Sequence, residues 1–381
     1  MFNYHSWLQC NFLIAGITFH SHFISVFNMQ KTTPKKNFTT NLLKWHRKNE
    51  RPFPWKETTD PYKIWLSEII LQQTRVEQGL PYYLKMVKFF PTVQHLAKAK
   101  EDAVLKAWQG LGYYSRARNL HSAAKYIVEE LNGKFPEDFK GWLKIKGVGP
   151  YAAAAIVSFT YDLPHAVVDG NVYRVLSRYF GIDTPIDSTE GKKIFSVLAN
   201  ELIAKKEAGR FNQAIMDLGA TVCKPSSPLC TICPVRENCV ALKKNLITTL
   251  PVKGKKILLK ERFFHYIIAQ NENGFLMEKR KGNDIWKGLY QFPLIEAEKF
   301  ISPSKFKVHP TVKNISAGNK ILLTASEEFI YLLSHQKIHA KFFILSSAEF
   351  KIENYEVVKK THLKKKAVPK IIEHYLKNNI H

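Results

Sequence analysis

Acidic residues are scarce in this chain of 381: 32 Asp and Glu stand against 57 Lys and Arg, a formal charge of +25. A compact fold carrying that excess repels itself, so the imbalance points to a polyanionic partner, with nucleic acid foremost. Cysteine is scarce as well. Cys10 stands alone, and Cys223, Cys230, Cys233 and Cys239 fall within 17 residues. That distribution excludes a framework of extracellular disulfides and implies a reducing, cytoplasmic compartment. No eighteen clean apolar residues occur in a row, so no membrane partner is expected. FLIAGITFHSHFISVF, residues 12 to 27, raises the question of a signal segment, but two histidines interrupt it and no Lys or Arg precedes it. Translation from Met29 explains it more simply and makes 1–28 a non-native or disordered extension.

With 45% apolar and 13% aromatic residues the chain is not a disordered one, and its length suits two domains plus linkers. From Leu42 to Gly219 short helical patterns alternate with Pro and Gly, as in PYKIWLSEIILQ, SRARNLHSAAKYIVEEL and GNVYRVLSRYF. After Phe263 the runs become β-branched and aromatic: FFHYIIAQ, KILLTA, KIHAKFFIL. The expected organisation is a helical domain over 29–245, a linker over 246–262 and a sheet-containing domain over 263–381 with a lysine-rich tail. A monomer suits two halves that can each complete a core.

Three features carry chemistry. The four clustered cysteines leave six, two and five residues between them; on ligand chemistry alone they suit either zinc or a [4Fe-4S] cluster. In IKGVGP, Gly147 and Gly149 permit a tight turn with uncovered amides ahead of a helix start, a helix-hairpin-helix signal for a DNA phosphate. Glu68 lies at the edge of the apolar stripe formed by Ile64 and Leu71, where burial would favour the protonated acid; pairing with Lys63 or Arg75 is the plainer alternative. Asp169 precedes a helical segment, an ordinary capping position that also favours its ionised form.

The segments PFPWKE, LSEIILQQTRVE, WQGLGYYSRARNL, IKGVGPYAAAAI, VVDGNVYRVLSR and FNQAIMDLGATVC resemble the A/G-specific adenine DNA glycosylases of the MutY type, within the endonuclease III-like superfamily. With the four-cysteine spacing the resemblance covers roughly residues 40 to 240, and WKGLYQFP further on resembles that family's Nudix-like extension. The fold implied is an all-α helix-hairpin-helix glycosylase core followed by an α+β Nudix-like domain. The resemblance also makes 223–239 a [4Fe-4S] loop, with Cys223, Cys230, Cys233 and Cys239 as ligands. It implies hydrolysis of the N-glycosidic bond of adenine mispaired with 8-oxoguanine or guanine in double-stranded DNA, with replication or repair proteins as further partners and nucleoid association when DNA is bound.

By the same resemblance Glu68 protonates adenine and manages the attacking water, while Asp169 stabilises the oxocarbenium-like sugar. Asn171 stands near that sugar, and Trp55 and Gln213 line the adenine pocket. Gln73 and Tyr113 match residues inserted in or beside the DNA stack near the oxidised guanine. Ser334 and His335 match part of the loop that checks 8-oxoguanine, although Leu333 replaces the usual aromatic before them. Tyr151 occupies the place of the nucleophilic lysine of lyase-competent relatives, which implies monofunctional hydrolysis. Tyr173 stands where many members have a lysine. The second domain lacks the full acidic Nudix pattern, so recognition is expected of it and Trp286 and Phe292 are expected in its core. Two other functions remain in view: a bifunctional pyrimidine-lesion glycosylase and a noncatalytic damage sensor.

Overall fold

The computed structural model describes residues 33–254, 259–271, 273–317, 319, 321–346, 350 and 353–379. The expectations for 1–28, for a start at Met29 and for 255–258 of the linker lie outside the described residues. Contacts gather the chain into two units that interleave along the sequence. One comprises the residues up to Ile64, Glu137–Trp142 and Gly149–Gly254; the other comprises Trp65–Pro136, Leu143–Val148 and Lys255–His381. The linear division at 246–262 follows the change from helix to strand, which is local, whereas a compact unit depends on which distant segments share a core. Among the described residues no helix is long and apolar enough to cross a membrane.

The first unit is built on helices Thr33–Asn49, Pro150–Tyr161, Gly170–Phe180, Thr189–Leu202 and Ala208–Thr221. In Gly170–Phe180, Val172, Val175, Leu176 and Tyr179 are buried at helical spacing, and Gly181 closes the helix with φ 71°. These side chains join Phe38, Leu42, Phe195, Phe211 and Leu218 in one core. Small residues allow close helix approach: a Cβ at Gly209 would stand 2.6 Å from the Ser158 carbonyl oxygen.

Asn212 is wholly buried and ties that core to the irregular passage before Asp169. Its Nδ2 donates to Ser158 Oγ at 2.8 Å and to the His165 carbonyl at 2.9 Å, and its Oδ1 accepts from Val167 N at 3.1 Å. Asn212→Ala takes a partner from three polar groups and should cost about 2–4 kcal/mol. Denaturant unfolding checks this; a loss under about 1 kcal/mol would mean that the passage finds other partners.

In the second unit, helices Val76–Phe89, Val93–Lys98, Glu101–Trp108 and Ser115–Glu129 accompany a sheet. Its strands are β1 (Lys260–Asn271), β2 (Gly274–Lys279), β3 (Tyr290–Gln291), β4 (Leu294–Ala297), β5 (Leu322–Ala325), β6 (Phe329–Leu332), β7 (Gln336–Ser346) and β8 (Glu356–Val358). The order is β3-β2-β1-β7-β5, with β4 also on β1, β6 on β7 and β8 on β2. β1 and β7 run parallel from Lys260↔Gln336 to Ala269↔Leu345. Alternation along β1 serves two cores. Ile267 and Ala269 pack with Phe306, Val312 and Ile315 of the short helices Pro303–Lys307 and Pro310–Ile315. On the other face Phe264 meets Trp286, and Tyr266 stacks on Phe342, which stacks in turn on Tyr375 of helix Lys370–Asn379. Trp286 and Phe292 are buried, as expected of core residues.

Candidate active site

In the first unit, helix Ala208–Thr221 forms the wall against which the predicted site residues gather. Asp169 is the N-cap of Gly170–Phe180: its Oδ1 accepts from the backbone N–H of Asn171 at 2.9 Å and of Val172 at 2.8 Å, and its Oδ2 accepts from Asn171 Nδ2 at 2.9 Å. Asn171 Oδ1 accepts in turn from Arg174 Nη2 at 2.8 Å, which also donates to the Gly219 carbonyl at 2.7 Å. Only glycine fits at 219, since a Cβ there would stand 2.6 Å from that of Asn171.

The capping position of Asp169 favours its ionised form, and burial opposes it. Burial pushes its carboxyl above the usual range, outweighing the bonds from Val172 and Asn171 and the charge of Arg174. A cap is legible in sequence; the desolvation set by tertiary packing is not.

The same wall helix holds Gln213, one of the two residues predicted to line the adenine pocket. Gln213 is half-buried on it, and one turn on, Asp217 Oδ2 accepts from Lys56 Nζ at 2.7 Å and lies 3.2 Å from His46 Nε2. Lys56 follows Trp55, whose ring stacks on Phe53 at 5.0 Å between centroids. Asp217 thus fastens the PFPWKE loop to the helix of Gln213. Burial opposes ionisation of Asp217, but the His46 bond and the Lys56 charge prevail and hold it below the usual carboxylate range. Tyr151, second residue of Pro150–Tyr161, directs its hydroxyl to Met216 Sδ at 3.5 Å. Gly149 caps that helix, with open space where a Cβ would be. Tyr173 packs edge-on against Phe195.

The second unit holds the remaining predicted residues. Glu68 is 6% exposed on helix Pro61–Leu71, consistent with the edge of an apolar stripe. Two residues beyond the helix, Gln73 has φ 54°, and Tyr113 has φ 48°. Left-handed backbone at non-glycine residues is uncommon and gathers at functional turns. Tyr113 is 42% exposed, and its hydroxyl hydrogen-bonds Ser334 Oγ. Ser334 and the exposed His335 form the turn between β6 and β7, while Leu333 is half-buried and donates its N–H to the Gln336 carbonyl. Gly147, φ 84°, closes a turn in which Val148 N donates to the Ile145 carbonyl at 3.0 Å.

Residues not singled out from sequence are the buried connectors Asn212, Arg174, Asp217 and Arg116. They sit inside the quoted motifs, and a charged or amide side chain within an apolar helical pattern is the available signal.

The cysteine segment departs from expectation. Cys223, Cys230, Cys233 and Cys239 are free, partly exposed cysteines. Among the described residues no group of three or more His, Cys, Asp or Glu is placed to hold a metal ion. The assignment of 223–239 as a [4Fe-4S] loop with these four ligands is therefore corrected, since the thiols are not brought together to hold the group. Arg178 organises the segment instead, with Nη1 donating to the Lys224 carbonyl at 2.7 Å and Nη2 to that of Pro225 at 3.0 Å. Two sulfurs meet the same residue: Cys223 Sγ accepts from Nη1 at 3.5 Å, and Cys239 Sγ donates to the Arg178 carbonyl at 3.5 Å. Spacing in sequence fixes how far ligands can reach, but not where their sulfurs converge.

Comparison with known proteins places these observations. The family described as HhH-GPD superfamily base excision DNA repair protein matches residues 66–201, and the NUDIX domain family matches residues 265–378. Fold and site thus define a helix-hairpin-helix base excision repair protein carrying a NUDIX domain. The adenine DNA glycosylase of Buchnera aphidicola subsp. Schizaphis graminum is 33% identical over 329 residues, covering 85% of this chain and 91% of that protein. That of Buchnera aphidicola subsp. Acyrthosiphon pisum is 33% identical over 356 residues, covering 90% and 98%. The solved structure of a thermostable thymine-DNA glycosylase is 29% identical with a TM-score of 0.52, over 55% of this chain and 97% of that one. The chain belongs to the adenine DNA glycosylase family.

Proposed function

We propose that this chain hydrolyses the N-glycosidic bond of adenine mispaired with 8-oxoguanine or guanine in duplex DNA and leaves an abasic site. Its class, an adenine-specific DNA N-glycosylase of base excision repair, follows from the family it belongs to. The observation that carries the finer reading is the hydrogen bond between Tyr113 and Ser334. It joins the turn matched to the DNA stack with the β6–β7 turn matched to the check on the oxidised base.

The reaction begins with adenine flipped out of the duplex. Glu68 donates a proton to the base, lowering the cost of its departure, and the Asp169 carboxylate compensates the positive charge on the sugar carbon until water adds there and gives up a proton to Glu68. Trp55 and Gln213 hold the base. Recognition suits the NUDIX domain better than hydrolysis, because Asp284 and Glu296 are both engaged by Arg262, at 2.7 Å each.

Base release from otherwise identical duplexes tests the reading, with strand cleavage measured before and after alkali. Adenine opposite 8-oxoguanine should be released, with strand breaks only after alkali. Release of oxidised pyrimidine with direct cleavage would make this a bifunctional lyase; binding without release would make it a sensor. A further outcome follows from Tyr151. Tyr151→Lys supplies an amine at the start of a helix, so borohydride should trap an imine with DNA and strand cleavage should appear without alkali. No trapped adduct in a folded variant would count against the placement of Tyr151.

A further inference from the structure

Arg116 is 8% exposed near the start of helix Ser115–Glu129, in the same unit as Glu68, Gln73, Tyr113 and Ser334. Its Nη1 donates to the carbonyls of Ile69 at 3.0 Å, Ile70 at 2.6 Å and Gln72 at 2.6 Å, and its Nη2 to that of Gly112 at 3.3 Å. The guanidinium also lies over the rings of Trp108 and Tyr113, at 5.2 and 5.4 Å from their centroids. Burial brings its pKa down to about 10, which leaves it a cation at neutral pH.

The arrangement has a specific logic. Carbonyls at the end of a helix lack partners within it, and helix Pro61–Leu71 has no basic residue of its own in the last turn. Arg116 supplies the missing donor and cation, gripping the two residues that follow Glu68. The other two carbonyls it holds, of Gln72 and Gly112, each immediately precede a left-handed residue, Gln73 and Tyr113. Such backbone persists only where its surroundings fix it. One rigid fork therefore sets both turns and the end of the Glu68 helix, a task a flexible ammonium cannot repeat.

We infer that Arg116 is a positioning residue that couples the lesion-side turns at Gln73 and Tyr113 to the helix carrying Glu68, so that engagement of the oxidised guanine is felt at the proton donor. The coupling rests on the function proposed above. A guanine opposite the adenine lacks the C8 oxygen and the N7 hydrogen that such turns can bind, so its rate should draw less on the link.

Two readouts test it on the full chain, with Arg116→Lys and Arg116→Gln measured in parallel. In single-turnover base release, both variants should lose more rate on adenine opposite 8-oxoguanine than opposite guanine, so that the ratio of the two rates falls about tenfold. An equal loss on both duplexes indicates a merely structural role and overturns the inference, as does an unchanged ratio. In amide hydrogen exchange, residues 69–74 and 111–116 should lose protection together; loss in one stretch alone also overturns it. If the unmodified chain releases adenine from neither duplex, the proposed function falls, and the exchange result still decides whether Arg116 links the two turns.

Discussion

Glu68→Gln is expected to slow adenine release about 10²–10⁴-fold, the range that a positioned general acid supplies. The substitution keeps shape and hydrogen-bonding capacity but removes the acidic proton. Glu68 is nearly fully buried, and Ile69 and Ile70 beside it are buried too, so the helix is held by packing that glutamine does not disturb. Thermal stability and affinity for the abasic product duplex should therefore stay close to those of the unmodified chain. The measurement is single-turnover release of labelled adenine under excess protein. A rate within about tenfold of the original would place the proton donor elsewhere.

Asp169→Asn should have a loss of similar order, about 10²–10³-fold, the cost of removing one preorganised group from a developing charge. Asparagine caps helices as well as aspartate does, so the N–H groups of Asn171 and Val172 keep an acceptor. The amide cannot accept from Asn171 Nδ2 as the carboxylate does, which sets a fixed cost independent of pH.

The pH dependence has a definite sign. Burial raises the carboxyl's pKa in the folded chain above its unfolded value, so ionising it costs stability in the native state. That cost is absent below the unfolded pKa of about 3.9 and grows as pH rises towards the raised native value. The melting temperature of Asp169→Asn, relative to the unmodified chain, should therefore climb with pH across that window. A difference that is flat, or that falls, would show that Asp169 is ionised at no cost. The same burial that makes the carboxylate expensive leaves it poorly compensated until a positive sugar carbon arrives, a trade between stability and function.

Much of the molecule was legible in its sequence. Periodicity in PYKIWLSEIILQ and GNVYRVLSRYF corresponds to helices Pro61–Leu71 and Gly170–Phe180, and the β-branched runs after Phe263 to β1, β5 and β7. The cap at Asp169 and the burial of Glu68 follow from local pattern as well. What local pattern does not contain is the meeting of distant segments. Arg116 reaches Ile69 and Gln72, and Asn212 reaches His165, only because packing brings them there. The raised carboxyl of Asp169 belongs with these. So does the cysteine segment, where even spacing-compatible thiols take the partners that Arg178 offers.

The interleaving of the two units has a consequence for how the chain is made. Residues 65–136 belong to the same unit as 255–381: Lys279 Nζ pairs with Asp102 at 2.5 Å, Arg118 Nη1 donates to the Lys287 carbonyl at 2.7 Å, and Lys106 Nζ to that of Lys366 at 3.0 Å. At a synthesis rate of roughly 5–20 residues per second, the helices leave the ribosome on the order of ten seconds before the strands they pack with. The unit containing Glu68 therefore completes only after residues 255–381 have been made, and a nascent chain halted before Lys255 carries Glu68 without the strands that share its unit.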